Sequence, residues 1–427
     1  MQKSLYIRGG LLVDPESGTE EASDLYIKNG YITPAPSHIP ADAVIIDAKD
    51  LVVTPGLIDV HVHLREPGNE AAETIDSGSK TAAKGGFTSI VSMPNTDPAT
   101  DSPELVSMIK GKGTLCGHVR VMPSGCITKG RQGKELADLE GMAKSGAVAF
   151  TDDGSTVTSD TIMADGMRLA AKLEKPVLDH ALDPAIAAKG VMHDGARSRQ
   201  LSLPGIPSRA ESEIVERDIR LAGKTGCVVH IQHVSTSESV DLIRRAISMG
   251  LKVSGEATPH HLALTDEEVL AEDANFKMNP PVRSVSDRAA ILSAVADGTI
   301  SVLATDHAPH TSEAKKKSFI TAPFGIIGLE TAVGITYNLL VKSGKMTLIE
   351  WLRRWTTGPA RVLGQPAPNL KYGSPADITI FDLNSEWTVD SRHFISKSRN
   401  MPFNGRRLTG KAVYTILKGK LTWNATL

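Results

Sequence analysis

The chain has 427 residues, too many for one ordinary hydrophobic core but a suitable length for a (β/α)8 barrel with a small companion domain. Its hydrophobic fraction of 41% and charged fraction of 22% are typical of a soluble globular protein, and its net charge of −2 argues against a nucleic-acid or membrane-surface role. The three cysteines lack CxxC spacing, no signal-peptide core opens the chain and no run of about 18 apolar residues occurs, so we expect a cytoplasmic protein without disulfides or structural zinc.

The two ends of the chain differ from its middle. Residues 1–54 contain short β-rich runs such as LYIRGGLLVDP and DLYIKNGYI, separated by Gly and Asn turns. Residues 366–427 contain similar runs, ADITIFDL and AVYTILKGKLTW. Because neither end could close a good core alone, we expect the two ends to pair in one small β-sandwich.

Residues 55–365 alternate between β-rich runs and stretches with helical spacing, such as DSPELVSMIK and SRAESEIVERDIRLAGKTG. Gly85-Gly86, Gly146, Gly226 and Gly250 fall where helices should end. Eight parallel strands that alternate with helices close a barrel, so the sequence predicts the α/β class and a (β/α)8 barrel. The eight runs are GLIDVHVHL, FTSIVSM, HVRVMPS, GAVAFTDD, PVLDHAL, CVVHIQHV, LKVSGEATPHHL and ISVLATDHAPH.

The first run places His61 and His63 on one face of its strand, because side chains alternate along a strand. Inward-facing residues at strand ends meet at the C-terminal mouth of a barrel, where active sites form. The pair alone is weak evidence, but other predicted strand ends carry ligand residues too: Asp152, Asp153, His180, His233 and Asp306. Such residues suit one or two divalent ions, of which zinc fits best. Because a bound ion lowers the pKa of its water to about 7, the site is predicted to be hydrolytic.

The other histidines are assigned structural or surface positions. His230 lies three residues before His233 and is therefore expected on the opposite face of the strand. His38 and His393 belong to the terminal segments and are expected at the surface. The remaining histidines with expected structural roles are His118, His193, His260, His261 and His307.

Six motifs in order resemble those of the bacterial type I dihydroorotases, a branch of the amidohydrolase superfamily: DVHVHLREPG, MPNT, FTDDG, KMNPPVR, ATDHAPHT and APFGIIGLET. The tail SRNMPFNGRRLTGKAVYTILKGK resembles the same family, so the resemblance extends from about residue 50 to the end. It implies a barrel with a flanking β-sandwich. It also implies the reversible cyclisation of N-carbamoyl-L-aspartate to L-dihydroorotate, the third step of pyrimidine (UMP) synthesis.

Carried over by position, the resemblance implies a metal ligand set of His61, His63, Asp153, His180, His233 and Asp306. The first zinc ion would take His61, His63 and Asp306. The second would take His180 and His233, with Asp153 between the two ions. Asp306 would also move a proton between a metal-bound hydroxide and the ring nitrogen. In the alternative interpretation Asp306 is only a ligand, and His307 or His310 moves the proton.

The resemblance also implies a set of substrate-binding residues, namely His63, Arg65, Asn95, Asn279, His310, Phe324 and Gly325. The chemistry supports Arg65 independently, because a guanidinium offers a carboxylate a planar, bidentate fork. The alternative for Arg65 is an ion pair with Glu66 or Glu70. Asn95 and Asn279 stand beside prolines, so a role as plain turn residues is the alternative for both.

Two segments need separate treatment. The sequence around His180 is DHALD, whereas in the family a cysteine and an acidic residue usually follow this histidine. We interpret the difference as a change around the ligand that alters metal affinity. Residues 311–324 are rich in lysine and small polar residues. We expect them to form a mobile lid whose lysines attract the anionic substrate.

Two other functions are weighed against this one. Hydantoinase, dihydropyrimidinase and allantoinase typically bridge their metals with a carboxylated lysine, whereas FTDDG offers no lysine. A non-catalytic dihydroorotase-like partner of aspartate transcarbamoylase should have lost ligands, and all the proposed ligands are present. The expected partners are the small-molecule substrates, a second copy of the chain in a homodimer, and aspartate transcarbamoylase; nucleic acid and membrane are not expected.

Overall fold

The computed structural model describes residues 3–425 of this mixed α/β protein. Residues 1, 2, 426 and 427, the outermost residues of the two predicted terminal segments, lie outside the described residues. Within the described range, no helix combines the length and apolar character needed to cross a membrane. The N-terminal strands are β1 (Leu5–Asp14), β2 (Thr19–Lys28), β3 (Tyr31–Thr33), β4 (Val44–Asp47) and β5 (Val52–Pro55).

The middle of the chain forms short parallel strands, most of which are fully buried. They are β6 (Leu57–Val62), β7 (Phe87–Ser92), β8 (Arg120–Pro123), β9 (Val177–Asp179), β10 (Met192–His193), β11 (Gly205–Ile206), β12 (Val229–Ile231), β13 (Val253–Ala257) and β14 (Val302–Leu303). β6, β7 and β8 pair in one sheet and β9, β12, β13 and β14 in another. Phe150 connects the two sheets through parallel bridges to Gly125 and Val177, and Val62 bridges His307 after β14. These pairings and bridges therefore lead from β6 through the two sheets to the residues after β14, which pair with β6 again.

Helices alternate with these strands, and they match the predicted helical stretches. The helices are α1 (Ile75–Gly85), α2 (Pro103–Cys116), α3 (Leu139–Ser145), α4 (Asp160–Lys172), α5 (Pro184–Ala187), α6 (Ala196–Leu201), α7 (Arg209–Thr225), α8 (Ser237–Ser248), α9 (Pro259–Ala263), α10 (Val285–Asp297), α11 (Ser312–Lys315), α12 (Ala332–Thr336), α13 (Leu348–Trp355) and α14 (Thr357–Val362). Gly86, Gly146 and Gly226 cap α1, α3 and α7 with left-handed φ values of 94°, 111° and 70°. Gly250 follows the C-cap of α8 with a φ of 73°. The predicted helix ends are therefore confirmed at these glycines.

The C-terminal strands complete a sheet that the N-terminal strands begin. They are β15 (Ile378–Thr388), β16 (Arg407–Leu417) and β17 (Lys420–Asn424). The eight-stranded sheet has the order β17-β16-β15-β5-β1-β2-β3, and β4 pairs with β1. Antiparallel pairing of β15 with β5 joins the two chain ends.

Buried aromatic residues attach this sheet to the parallel strands. The ring of Trp355 in α13 packs edge-on against Phe87 in β7, with centroids 5.4 Å apart. Trp351 in the same helix lies 6.0 Å from the ring of Phe381 in β15. Both tryptophans are fully buried, and large aromatic side chains contribute much of the packing energy of such contacts. Helix α13 therefore packs between the amino end of β7 and the sheet that contains β15.

Candidate active site

The six predicted metal ligands are all buried and lie together at the carboxyl ends of the parallel strands. Two groups have their ligand atoms within 4.8 Å of one another: His61 with His63 and Asp306, and His61 with Asp153 and His233. His180 falls outside both groups, with its Nδ1 atom 3.7 Å from Oδ1 of Asp153. Its Nδ1 also lies 2.8 Å from Nε2 of His233. The structure thus gathers the predicted residues, but groups Asp153 with His61 more closely than with His180.

Two carboxylates flank His61 in β6 and His63, which directly follows that strand. Oδ1 of Asp306 lies 3.0 Å from Nε2 of His63 and 3.4 Å from Nε2 of His61. Oδ1 of Asp153 lies 3.3 Å from Nε2 of His61. Burial raises the pKa of Asp153, but the positive charges of His61 and His63 outweigh burial and hold that pKa well below its usual range. The site is therefore one that favours positive charge.

These residues fit a divalent ion. Nε2 of His61 is buried and has no hydrogen-bond partner among residues 3–425, although it lies between the carboxylates of Asp153 and Asp306. A buried polar atom without a partner is costly, and a metal ion would satisfy it. Imidazole nitrogen and carboxylate oxygen together are typical ligands of zinc and of similar divalent ions.

Hydrogen bonds at the far side of each imidazole direct Nε2 toward the proposed ion. Nδ1 of His61 lies 2.6 Å from Oε1 of Glu256, and Nδ1 of His63 lies 2.8 Å from Oδ1 of Asn95. Because a carboxylate and an amide oxygen accept hydrogen bonds, each ring would carry its proton on Nδ1 when an ion is bound and would offer Nε2 as a ligand. Asn95 therefore orients His63 and is more than a turn residue.

Glu256 is a site residue that sequence reasoning missed. It is fully buried in β13, and its Oε2 atom also lies 3.0 Å from Nε2 of His230. Burial raises the pKa of Glu256, but the charge of His61 and hydrogen bonds from both histidines outweigh burial and lower it to about 2. The available signal was one acidic residue inside an otherwise uncharged strand, VSGEA, where an unpartnered charge would be costly.

The predicted position of His230 is wrong in one respect. Its side chain contacts the glutamate that holds His61, so it lies directly behind the site and does not face away from it. The alternation rule fails because β12 ends at Ile231 and His233 has a φ of 33°. The alternation of a regular strand therefore does not extend from His230 to His233.

Left-handed backbone recurs at the site. Arg65 has a φ of 62° and Asp306 a φ of 46°, which for non-glycine residues costs of order 1–3 kcal/mol each. Buried Asp59 holds the turn before Asp306, since its carboxylate accepts hydrogen bonds from the backbone and hydroxyl of Thr305. The same carboxylate accepts a hydrogen bond from the backbone N–H of His61. Burial raises the pKa of Asp59 to about 7.

A cavity of about 180 Å³ opens onto these ligands. Its lining is His63, Arg65, Asn95, Asp153, Gly154, His180, His233, Asn279, Asp306, Ala308, His310, Phe324 and Gly325. Every predicted substrate-binding residue is therefore brought to one cavity. A cavity of about 370 Å³ adjoins it and shares His180 and Asn279. A larger groove of about 620 Å³ lies beside β8 and β17 and has none of these residues in its lining.

Arg65 is available to a ligand in this cavity. Its Nε atom donates to the carbonyl of Pro309 over 3.0 Å, which fixes the side chain. Glu66 instead accepts hydrogen bonds from Lys112 and from the backbone of Ile75. Glu70 accepts from the backbone of Gly68, so the structure does not support the alternative ion pair. Burial lowers the pKa of Arg65 to about 10, so the guanidinium remains charged at neutral pH.

His310 and His307, the alternative proton carriers, are both engaged elsewhere. Nε2 of His310 lies 2.7 Å from the carbonyl of Phe324, and burial, together with the charge of Arg65, lowers the pKa of His310 to about 3. His307 lies between Glu73, 3.4 Å from its Nε2, and the backbone N–H of Gly328, which donates to its Nδ1. His307 is thus held structurally, as expected.

Other predicted residues have local roles. Asp152 accepts hydrogen bonds from Thr128 and from the backbone of Ile127, and it does not join the ligand cluster. Ala181 and Leu182, in the divergent text after His180, are buried apolar residues, and Asp183 caps α5. In the predicted lid, Lys316 and Lys317 are exposed but Lys315 is buried, so Lys315 does not present its amine at the surface of the lid.

Comparison with known proteins places this geometry in context. A family model described as "Dihydro-orotase-like" matches residues 50–239. The chain is 49% identical to "Dihydroorotase" of Pelotomaculum thermopropionicum over 418 residues, which cover 98% of both chains. It is 45% identical to "Dihydroorotase" of Halalkalibacterium halodurans, over 98% of this chain and 97% of that one. Among solved structures, the L-hydantoinase (dihydropyrimidinase) of Arthrobacter aurescens has a TM-score of 0.87 and 25% identity, with coverage of 100% of this chain and 97% of that one.

Replacing Glu256 by glutamine tests whether this buried carboxylate orients His61. Glu256→Gln keeps the shape of the side chain but removes its charge, so the variant should bind zinc about 10–100-fold more weakly. Competition with a chelator measures the affinity, and Glu313→Gln in exposed α11 is the matched control. Zinc retained by Glu256→Gln as tightly as by the control would show that Glu256 does not act through the ligand.

Proposed function

This chain belongs to the dihydroorotase family, and on that premise we propose how its residues divide the work of the reaction. It is a metal-dependent cyclic amide hydrolase that interconverts N-carbamoyl-L-aspartate and L-dihydroorotate in pyrimidine biosynthesis. The observation that carries the proposal is that one cavity joins a histidine–carboxylate cluster to a partly buried arginine. The cluster suits amide hydrolysis, and the arginine suits a substrate that carries a carboxylate.

The proposed architecture is a (β/α)8 barrel over residues 55–365, with residues 1–54 and 366–427 forming the flanking β-sandwich. The circuit of parallel pairings supports the barrel. Phe150 fills the fourth place, between β8 and β9, and with it the circuit has eight members. The position of the cluster at the carboxyl ends of the strands is where enzymes with this fold place their sites.

We assign the six ligands to one or two zinc ions. His61, His63 and Asp306 would hold the first, and His180 and His233 the second, with Asp153 between them. The short distance between Asp153 and His61 supports a shared carboxylate. When bound, the ion would polarise the amide carbonyl and lower the pKa of a water molecule to about 7.

Asp306 is the proposed proton carrier. In ring opening its carboxylate takes the proton of the attacking water and returns it to the ring nitrogen as the carbon–nitrogen bond breaks; ring closure reverses both transfers. Its carboxylate lies close to Nε2 of both His61 and His63, and Asp306 lines the cavity. The engagement of His310 and His307 with other groups favours Asp306 over both alternatives.

Arg65 is proposed to bind the substrate carboxylate, with Asn95, Asn279 and His310 beside it. Oδ1 of Asn279 is buried and, among the described residues, has no hydrogen-bond partner, so it is free to accept from a substrate N–H. His310 is already fixed by the Phe324 carbonyl. Backbone at Phe324 and Gly325, with His63, would complete the pocket.

The second candidate function is hydrolysis of another cyclic amide, as by a hydantoinase, dihydropyrimidinase or allantoinase. The structural likeness to an L-hydantoinase favours it, but in our assignment Asp153 would stand between the metals, where those enzymes typically have a carboxylated lysine. A homodimer, association with aspartate transcarbamoylase and a cytoplasmic location are further proposals that follow from the family. A non-catalytic partner role is disfavoured because the ligand set is complete.

A substrate and metal comparison tests the function itself. Metal-depleted protein should regain L-dihydroorotate turnover on addition of zinc alone, because an aspartate needs no carbon dioxide to acquire its charge. Hydantoin and dihydrouracil, assayed in parallel, should be turned over much more slowly. A requirement for bicarbonate, or faster turnover of hydantoin, would overturn the assignment.

Replacing Asp306 by asparagine tests the proton carrier. Asp306→Asn should lower the rates of ring opening and ring closure at least about 10²-fold. Exposed Asp241→Asn is the control. An Asp306→Asn variant that keeps its metal and stays within tenfold of the parent would exclude this role.

Replacing Arg65 by methionine tests substrate binding. A charge-assisted hydrogen bond is worth about 1.5–3 kcal/mol, so Arg65→Met should lower kcat/KM by roughly tenfold to a few hundredfold. Bound metal should not change, and exposed Arg168→Met should behave as the parent. Loss of metal or of the folded state in Arg65→Met alone would mean that Arg65 is structural.

A further inference from the structure

Residues 320–325, which we call the wall segment, have an unusual set of hydrogen-bond partners. Nζ of Lys277 donates to the carbonyl of Ile320 over 2.9 Å and to that of Ala322 over 2.7 Å. The same ammonium lies 4.5 Å from the ring centroid of Phe324, within the range of a cation–π contact. One lysine therefore holds three residues of the segment.

Lys315 holds the rest of the segment from the other side. Its Nζ donates to the carbonyl of Gly325 over 2.9 Å and to that of Pro323 over 3.1 Å. Only 2% of Lys277 and 8% of Lys315 are exposed, and neither has a carboxylate within 4.0 Å among the described residues. Burying an ammonium is costly unless its donors are satisfied. Here backbone carbonyls of the wall segment satisfy them.

Other elements fasten the same segment. The backbone N–H of Gly325 donates to the carbonyl of Lys277, and Nδ2 of Asn400 donates to the carbonyl of Gly325 over 3.0 Å. Oδ1 of Asn400 accepts from the backbone N–H of His310, whose ring contacts the carbonyl of Phe324. The segment is thus tied to three separate parts of the chain at the point where it lines the substrate cavity.

We propose that Lys277 and Lys315 are positioning residues that fix residues 320–325 as a preformed wall of the substrate cavity. The wall stays in place during turnover, so the lid predicted over residues 311–324 does not extend to this segment. Burial lowers the pKa of Lys277 to about 8, and burial with the charge of Lys277 lowers the pKa of Lys315 to about 7. A neutral amine still has two N–H donors, so the hydrogen bonds do not require both charges. The effect on substrate rests on the proposed function, whereas the rigidity of the wall does not.

Hydrogen exchange of the parent protein tests the wall directly. Within residues 320–325, the buried amides of Ala322 and Gly325 donate to the carbonyls of Ser318 and Lys277, so they should exchange slowly without ligand, and saturating L-dihydroorotate should change their rates less than threefold. Ligand protection above tenfold would show a segment that closes over substrate and would overturn the proposal. This arm needs no variant.

Lys315→Met tests the role of the lysine, with exposed Lys317→Met as its matched control. Exchange in residues 320–325 should quicken at least tenfold, and KM for L-dihydroorotate should rise at least tenfold while kcat stays within threefold. The amount of bound zinc should be unchanged, which would show that the substitution affects the wall segment and leaves the metal site intact. Unchanged exchange, or faster exchange with an unchanged KM, would refute the proposal.

Asn400→Ala covers the case in which Lys315→Met does not fold. It removes one donor to the Gly325 carbonyl and should raise exchange and KM in the same direction, by at least threefold. No effect on either quantity would refute the proposal. A parent that binds zinc but does not turn over L-dihydroorotate would refute the proposed function alone, because slow exchange without ligand would still establish the wall.

Discussion

Buried negative charge at the carboxyl ends of the parallel strands is the constraint on which the site depends. Asp153, Asp306 and Glu256 are almost fully buried, and they lie around the ring of His61. Each carboxylate taken from water needs a positive partner or several donors to offset the cost. A protonated His61 supplies one positive charge, and a divalent ion would supply more at the same place. The fold thus produces metal affinity by creating a charge imbalance and then holding it rigidly.

The polar residues of the site form two sets, which differ in what their side chains contact. Five of the six proposed ligands line the cavity, while a second set of residues accepts hydrogen bonds that hold the site: Glu256 from His61, Asn95 from His63, and Asp59 from Thr305. These partners come from strands far apart in the chain. A ring held from behind loses little entropy on binding an ion, so orientation and affinity have the same structural source.

Local sequence patterns predict much of this arrangement, whereas the rest depends on contacts between segments that are distant in the chain. Two-residue periodicity places His61 and His63 on one face, and glycines mark the helix ends. The same periodicity fails at His233, because the strand ends before it and the backbone becomes left-handed. Lys315 looks exposed in a charged run, yet carbonyls several residues later surround its ammonium. Glu256 and Asn400 act only through contacts with distant segments, which neighbouring residues do not reveal.

The pairing of β5 with β15 has a consequence for how the chain matures. More than three hundred residues separate these strands, so at about 5–20 residues per second the ribosome needs tens of seconds to deliver the second after the first. Throughout that interval the outer edge of β5 has open N–H and C=O groups, which other chains could pair with. The parallel strands emerge meanwhile and can assemble first. Closure of the sheet is therefore a late step of biogenesis, and a chain that stops early keeps an unprotected edge.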